Sequence, residues 1–122
     1  MRICVARWVG LAALVLGAMT GAGRTATSAE MVAERPLLDN DRVTVIEYTF
    51  PPGFRGEEHA AFANEFAYVL GGEFTVTVTT RGRGRRVVRK GEVEYASKGT
   101  VHASSNDGMI PALVLVVILK DK

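Results

Sequence analysis

Turn-forming residues recur about every ten positions from Pro51 onward, and strand-like stretches fill the gaps between them. PPGF at 51–54, Gly71-Gly72, RGRGRR at 81–86, Gly91, KGT at 98–100 and NDG at 106–108 mark the reversals. No stretch between them has a helical period. The pattern predicts an all-β sandwich or barrel. RVTVIEYTF at 42–50 is rich in β-branched and aromatic residues, as strands are. EFAYVL at 65–70 and EFTVTVTT at 73–80 flank the Gly71-Gly72 pair and read as a hairpin, because glycine supplies the positive φ of a tight turn. In the second of these strands Phe74, Val76 and Val78 alternate with threonines, which predicts one dry and one wet face. VVRK at 87–90 and EVEYA at 92–96 follow as short strands.

PALVLVVILK at 111–120 is the last strand and is apolar on both faces. Leu113, Leu115, Val117 and Leu119 are expected to fill the core, with Val114, Val116 and Ile118 on the other side. A strand of this kind needs cover on both sides, either from the N-terminal segment or from a second subunit. A homodimer is the simplest proposal.

The N-terminus is built differently. Arg2 and Arg7 precede an apolar run from Val9 to Met19, and the small residues GAGRTATSA follow. That is the layout of a secretory signal peptide, and the run is well short of the roughly 20 residues that span a bilayer as a helix. An uncleaved anchor is the alternative. A cut after Ala29 leaves residues 30–122: a lead from Glu30 to Pro36 and one domain from 37 to 120. It also removes Cys4, the only cysteine, so the mature chain has no disulfide and no thiolate ligand. Arg2, Arg7 and Arg24 leave without any acid, which takes the formal charge from +2 to −1. Nucleic acid is therefore not an expected partner, and after cleavage neither is a membrane. RGRGRR could touch phosphate but reads more simply as a solvated loop. The expected location is outside the cytoplasm, periplasmic or secreted.

Only two histidines remain in the mature chain, His59 and His102, each expected on a strand beside a turn. His59 shares a strand face with Ala61. Phe62 to Asn64 then let the chain reverse, so Glu65 can return beside His59. His102 comes from a distant strand. If the sheet closes into a barrel, all three side chains can face one cavity. Two imidazoles and a carboxylate are the ligand set of open-sided iron, manganese or zinc sites. A polar cluster without metal is the plainer alternative. No serine–histidine–acid arrangement, phosphate loop or paired-carboxylate motif is present.

These residues fall into two spaced motifs. The first is Gly53, five residues, His59, Ala60, Ala61, three residues, Glu65, six residues, Gly72. The second is Gly91, five residues, Ser97, Lys98, Gly99, two residues, His102, three residues, Asn106. Both resemble the cupin superfamily, whose motifs are G-x5-H-x-H-x3-E-x6-G and G-x5-P-x-G-x2-H-x3-N. Ala61 stands where the family has a second histidine, and Ser97 where it has proline. The resemblance runs from about Leu37 to Lys120. It implies a jelly-roll β-barrel with a central pocket, and a divalent metal (Fe, Mn, Ni or Zn) held by three histidines and a glutamate. His59, Glu65 and His102 match three of those positions; Ala61 cannot ligate. Two functions follow. One is a module that binds a small polar molecule in the barrel. The other is a metal-dependent dioxygenase, isomerase or decarboxylase acting on an organic acid, a phenolic or a sugar. Asn106 is expected to serve its turn, Tyr68 to face outward, and Tyr95 and Phe50 to sit in the core.

Overall fold

The computed structural model describes residues 31–82 and 84–121. The expected signal peptide, residues 1–29, lies outside the described residues. Among the described residues nine strands form two antiparallel sheets: β1 (Ala33–Asp39), β2 (Val43–Phe50), β3 (His59–Ala60), β4 (Glu65–Gly71), β5 (Glu73–Val78), β6 (Gly84–Arg89), β7 (Val93–Ala96), β8 (Val101–Ser105) and β9 (Ala112–Leu119). The larger sheet runs β1-β2-β9-β4-β7 and the smaller β3-β8-β5-β6. Among the described residues there is no helix long and apolar enough to cross a membrane.

The expected strand-and-turn order holds, but the sheet does not close. The sandwich remains two separate sheets rather than a barrel, because strands at the sheet edges lack a hydrogen-bonded partner in the facing sheet. Side chains bridge one open side instead. Arg86 of β6 pairs with Glu94 of β7 at 2.5 Å and also donates to the carbonyl of Val93. This explains a second departure. The loop expected at 81–86 is shorter, because Arg85 and Arg86 already lie in β6, in register with Thr77 and Val76. Charged residues hide a strand from a hydrophobic pattern when their heads reach partners at the sheet margin. A third departure is β1. It begins within the segment read as a lead, and its seven residues are all exposed.

The core lies between the sheets. Val69, Phe74, Val76, Val88, Ala112 and Val114 form its buried cluster, with Phe50, Ala67, Val78 and Val116 packed against it. Burying each valine contributes on the order of 1.5–3 kcal/mol. Phe74, Val76 and Val78 thus face inward as expected, although Thr75 on the opposite face is also buried. For β9 the expected faces are reversed. Ala112 and Val114 point into the core, and the residues of opposite parity, Leu113, Leu115, Val117 and Leu119, point away from it and are only half-buried. The core side takes the smaller residues because Phe74 and Val76 press on it from the facing sheet.

The hairpin expected from 65–70 and 73–80 does not form: β4 and β5 lie in different sheets, and Gly72 makes the step from one to the other. Its φ is +66°, and a Cβ there would lie 2.4 Å from the carbonyl oxygen of Pro111. Only glycine fits such a close approach. Asn106 is fully buried and ties the other end together. Its Nδ2 donates to the carbonyls of Phe50 and Ile110, both at 2.9 Å, while Oδ1 accepts from the Gly108 amide. This is the turn role expected for it.

Candidate functional site

The three site candidates reach the same end of the sandwich from different elements. His59 and His102 are direct cross-strand partners on β3 and β8. Their rings meet edge to face, with centroids 4.7 Å apart. Glu65 opens β4 in the facing sheet, and its Oε1 lies 3.4 Å from His102 Nε2. The side chains of His102 and Glu65 are only 8% and 19% exposed, whereas His59 sits at the rim. His59 Nδ1 is 3.0 Å from the Glu57 carbonyl, a contact that sets the orientation of the ring. The Glu57 residue itself is exposed.

Burial dominates the electrostatics. It pushes the Glu65 carboxyl above its ordinary range, while the nearby His59 pulls it back down. Burial likewise holds His102 below the usual imidazole value, and His59 lowers it further. The neutral forms of both buried groups are thereby favoured, which keeps the charge of the pair low.

The inner face also carries Tyr48, which was missed in the sequence. It pairs with Val114 in the register of β2 and β9, so it lies on the inner face. Its ring stacks on Phe50, centroids 5.8 Å apart. Burial, then the charges of Glu34 and Glu65, push its hydroxyl up to about 12. At neutral pH it is a phenol able to donate. Its shared parity with buried Ile46 was the signal in RVTVIEYTF. Tyr95, by contrast, is not a core residue: it is 47% exposed on the outer face and packs against Phe66. Tyr68 faces outward as expected.

The His102–Glu65 pair offers two donors to a metal. In tetrahedral coordination with bonds of roughly 2.1 Å, neighbouring donors stand about 3.4 Å apart. The separation of His102 and Glu65 fits such an edge. The third corner is missing: among the described residues, no group of three or more His, Cys, Asp or Glu side chains is arranged to hold a metal ion. Ala61 is 2% exposed, and its backbone is bonded to Thr100 and Gly99, so its position is filled by packed chain. The residues as they stand do not form a complete metal centre. A separate polar cleft of about 210 Å³ opens between Thr80-Arg81 and the turn Ser97–Thr100; none of the three candidates lines it.

The Cupin domain family matches residues 46–118, more than half of the chain. The protein belongs to the cupin family. Solved structures agree on the jelly-roll fold. TT1209 from Thermus thermophilus is 28% identical, with a TM-score of 0.65 over 74% of this chain and 84% of that one. KdgF from Halomonas is 17% identical, with a TM-score of 0.65 over 75% and 82%. The DMSP lyase DddQ from Ruegeria pomeroyi is 21% identical, with a TM-score of 0.68. It aligns over 83% of this chain, which spans only 53% of the lyase. No curated protein matches. The cupin assignment accounts for both motifs, including the turn glycines at 53, 72, 91 and 99, all at positive φ.

Proposed function

We propose that this cupin is an exported binding module that holds a small polar molecule at the open end of the sandwich. The observation that carries this reading is the buried His102–Glu65 pair beside the His59 ring. Buried polar groups in an apolar wall are costly unless they have partners, and a ligand hydroxyl or carboxyl can complete those contacts. Glu65 and His102 can each accept from or donate to such a group. An organic acid, a phenolic or a sugar suits this set.

A second reading is a metal-dependent cupin enzyme, a dioxygenase, isomerase or decarboxylase. The 3.4 Å edge between His102 and Glu65 favours it, as does a structural neighbour that is a lyase. Movement of His59 would have to supply the third corner for Fe, Mn, Ni or Zn.

One experiment separates the two. Purified protein, free of affinity-tag histidines, is analysed for metals beside a His102→Ala variant, then screened by melting temperature against organic acids, phenolics and sugars. Melting shifts without metal, absent in the variant, support the binding module. Near-stoichiometric metal that disappears in the variant supports the enzyme. Neither response in any condition removes the site from both readings.

A further inference from the structure

The polar cleft between Thr80-Arg81 and the turn Ser97–Thr100 lies apart from the His102–Glu65 site, and its lining has a chemistry of its own. Two cations, Arg81 and Lys98, and the hydroxyls of Thr80, Ser97 and Thr100 line it together with Gly99, and no acidic residue does. The hydroxyls keep protons to give. Thr80 Oγ1 accepts from the Val101 amide at 2.6 Å, which leaves its own O–H uncommitted. Ser97 and Thr100 share one hydrogen bond at 3.1 Å, so one of their two protons is spare. The Lys98 ammonium gives one of its three protons to Asp121 at 2.9 Å, in a pair whose side chains are 62% and 63% exposed and which therefore exchanges easily.

Arg81 is the unusual member. Arg35, Arg55, Arg85, Arg86 and Arg89 all set their guanidinium groups against carboxylates. Among the described residues Arg81 meets none, although it shares the RGRGRR segment with Arg85 and Arg86. It is also the one non-glycine residue at positive φ among the described residues, at +56°, a backbone region that is costly for a side chain and persists where that side chain is held for a purpose. The two walls are fixed to each other. The Thr79 amide donates to the Val101 carbonyl at 3.0 Å, the Val101 amide donates back to Thr80, and Thr100 is buried beneath them. The opening is thus formed before anything enters it, which lowers the ordering cost of binding.

We propose that this cleft binds a phosphate or sulfate group, free or as the head of a small ester. Its volume of about 210 Å³ is below the roughly 300–1,000 Å³ of pockets for drug-sized ligands, so it encloses a small group rather than a whole large molecule. Arg81 offers a planar fork to two oxygens, Lys98 a point charge, and the hydroxyls reach the oxygens that remain. A nucleic acid fits less well, because Arg85 and Arg86 beside the cleft are already neutralised by Asp107 and Glu94 and no basic stripe runs on from it. The assignment is independent of the ligand proposed for His102 and Glu65.

The test is an NMR titration of the nitrogen-15-labelled full chain with sodium phosphate and, separately, with glycerol phosphate, the ionic strength being held constant with sodium chloride. The expected result is a saturable shift of the Arg81, Lys98, Gly99 and Thr100 amides, weakened about tenfold or more by Arg81→Gly. Glycine suits the positive φ, so this variant should melt no lower than the parent chain. Binding lost without stability lost is what a merely structural Arg81 would not give. If Arg81→Gly does lower the melting temperature, Lys98→Gln decides on the same titration by weakening the shift or leaving it unchanged. An ester midpoint no lower than that of phosphate identifies the free ion as the ligand, and one about tenfold lower identifies a phosphorylated small molecule. The proposal is overturned by the absence of a saturable shift with either probe, by shifts that sodium chloride alone reproduces, or by binding that both variants leave intact.

Discussion

The two outer faces of the sandwich have solved the same problem differently. The outer face of the four-stranded sheet carries Thr75, Thr77, Arg85, Ser105 and the Glu73–Arg89 pair, with Asp107 receiving Arg85 at 2.6 Å and Arg55 at 3.3 Å. Water and short-range ion pairs complete it. The outer face of the five-stranded sheet carries leucines, valines and aromatic rings, several of them exposed. Two sheets that share one core can therefore differ entirely in what they ask of their surroundings. The core side is set by packing, and the far side is set by what the sheet meets.

The sharpest way to test this contrast lies in adjacent residues of β9. Val114→Asp places an unpaired charge in the core, where Val114 is 1% exposed, and should cost about 4 kcal/mol or more. Leu115→Asp, one residue along but on the outer face, should cost the isolated chain about 1 kcal/mol or less. Urea denaturation reads both, and equal costs would show that the outer face is already covered within one chain. Next in size is Gly72→Ala, at the turn that carries the chain from the five-stranded to the four-stranded sheet. The positive φ and the Pro111 carbonyl together should cost about 2 kcal/mol by the same method.

The inner polar pair gives a pH signature. Below its ordinary value of 6.5, His102 is protonated more readily in the unfolded chain, so its contribution is complete above 6.5 and falls as pH drops through the folded value. Glu65 acts oppositely: its contribution is complete below its ordinary 4.5 and falls as pH rises through the folded value. Between these values the two slopes oppose each other. Glu65→Gln should leave a melting temperature that rises with pH across this window, and His102→Asn one that falls. Parallel profiles would mean that the pair does not titrate as described. The smallest effect is expected on the polar outer face, where Asp107→Asn should cost about 0.5 kcal/mol, as partly exposed ion pairs do. A cost as large as that of Gly72→Ala would show that this face also depends on specific contacts.

Much of the fold was legible because glycine and proline mark reversals and alternation marks strands. The clean pattern of EFTVTVTT put Phe74, Val76 and Val78 inward, as found. β1 was not legible, since AERPLLD neither alternates nor buries any residue. The start of β6 was hidden because its arginines reach carboxylates at the sheet margins rather than packing inward. Of the site, the spacing around His59, Glu65 and His102 was readable. The inward place of Tyr48 followed from a parity that went unused, and the burial of Ala61 required the surrounding chain to be seen.

The sequence by itself determined the order of strands and turns, the glycines at the reversals and the cupin motifs, because these rest on backbone sterics and on local period. Only the tertiary structure decided which side of β9 is core. Alternation says which residues share a face but not which face is covered, and here both faces are apolar. It also decided that the sheets stay open and that Glu65 stands 3.4 Å from His102 but His59 at the rim. Those distances join residues far apart in the chain, and they are set by how the two sheets stack.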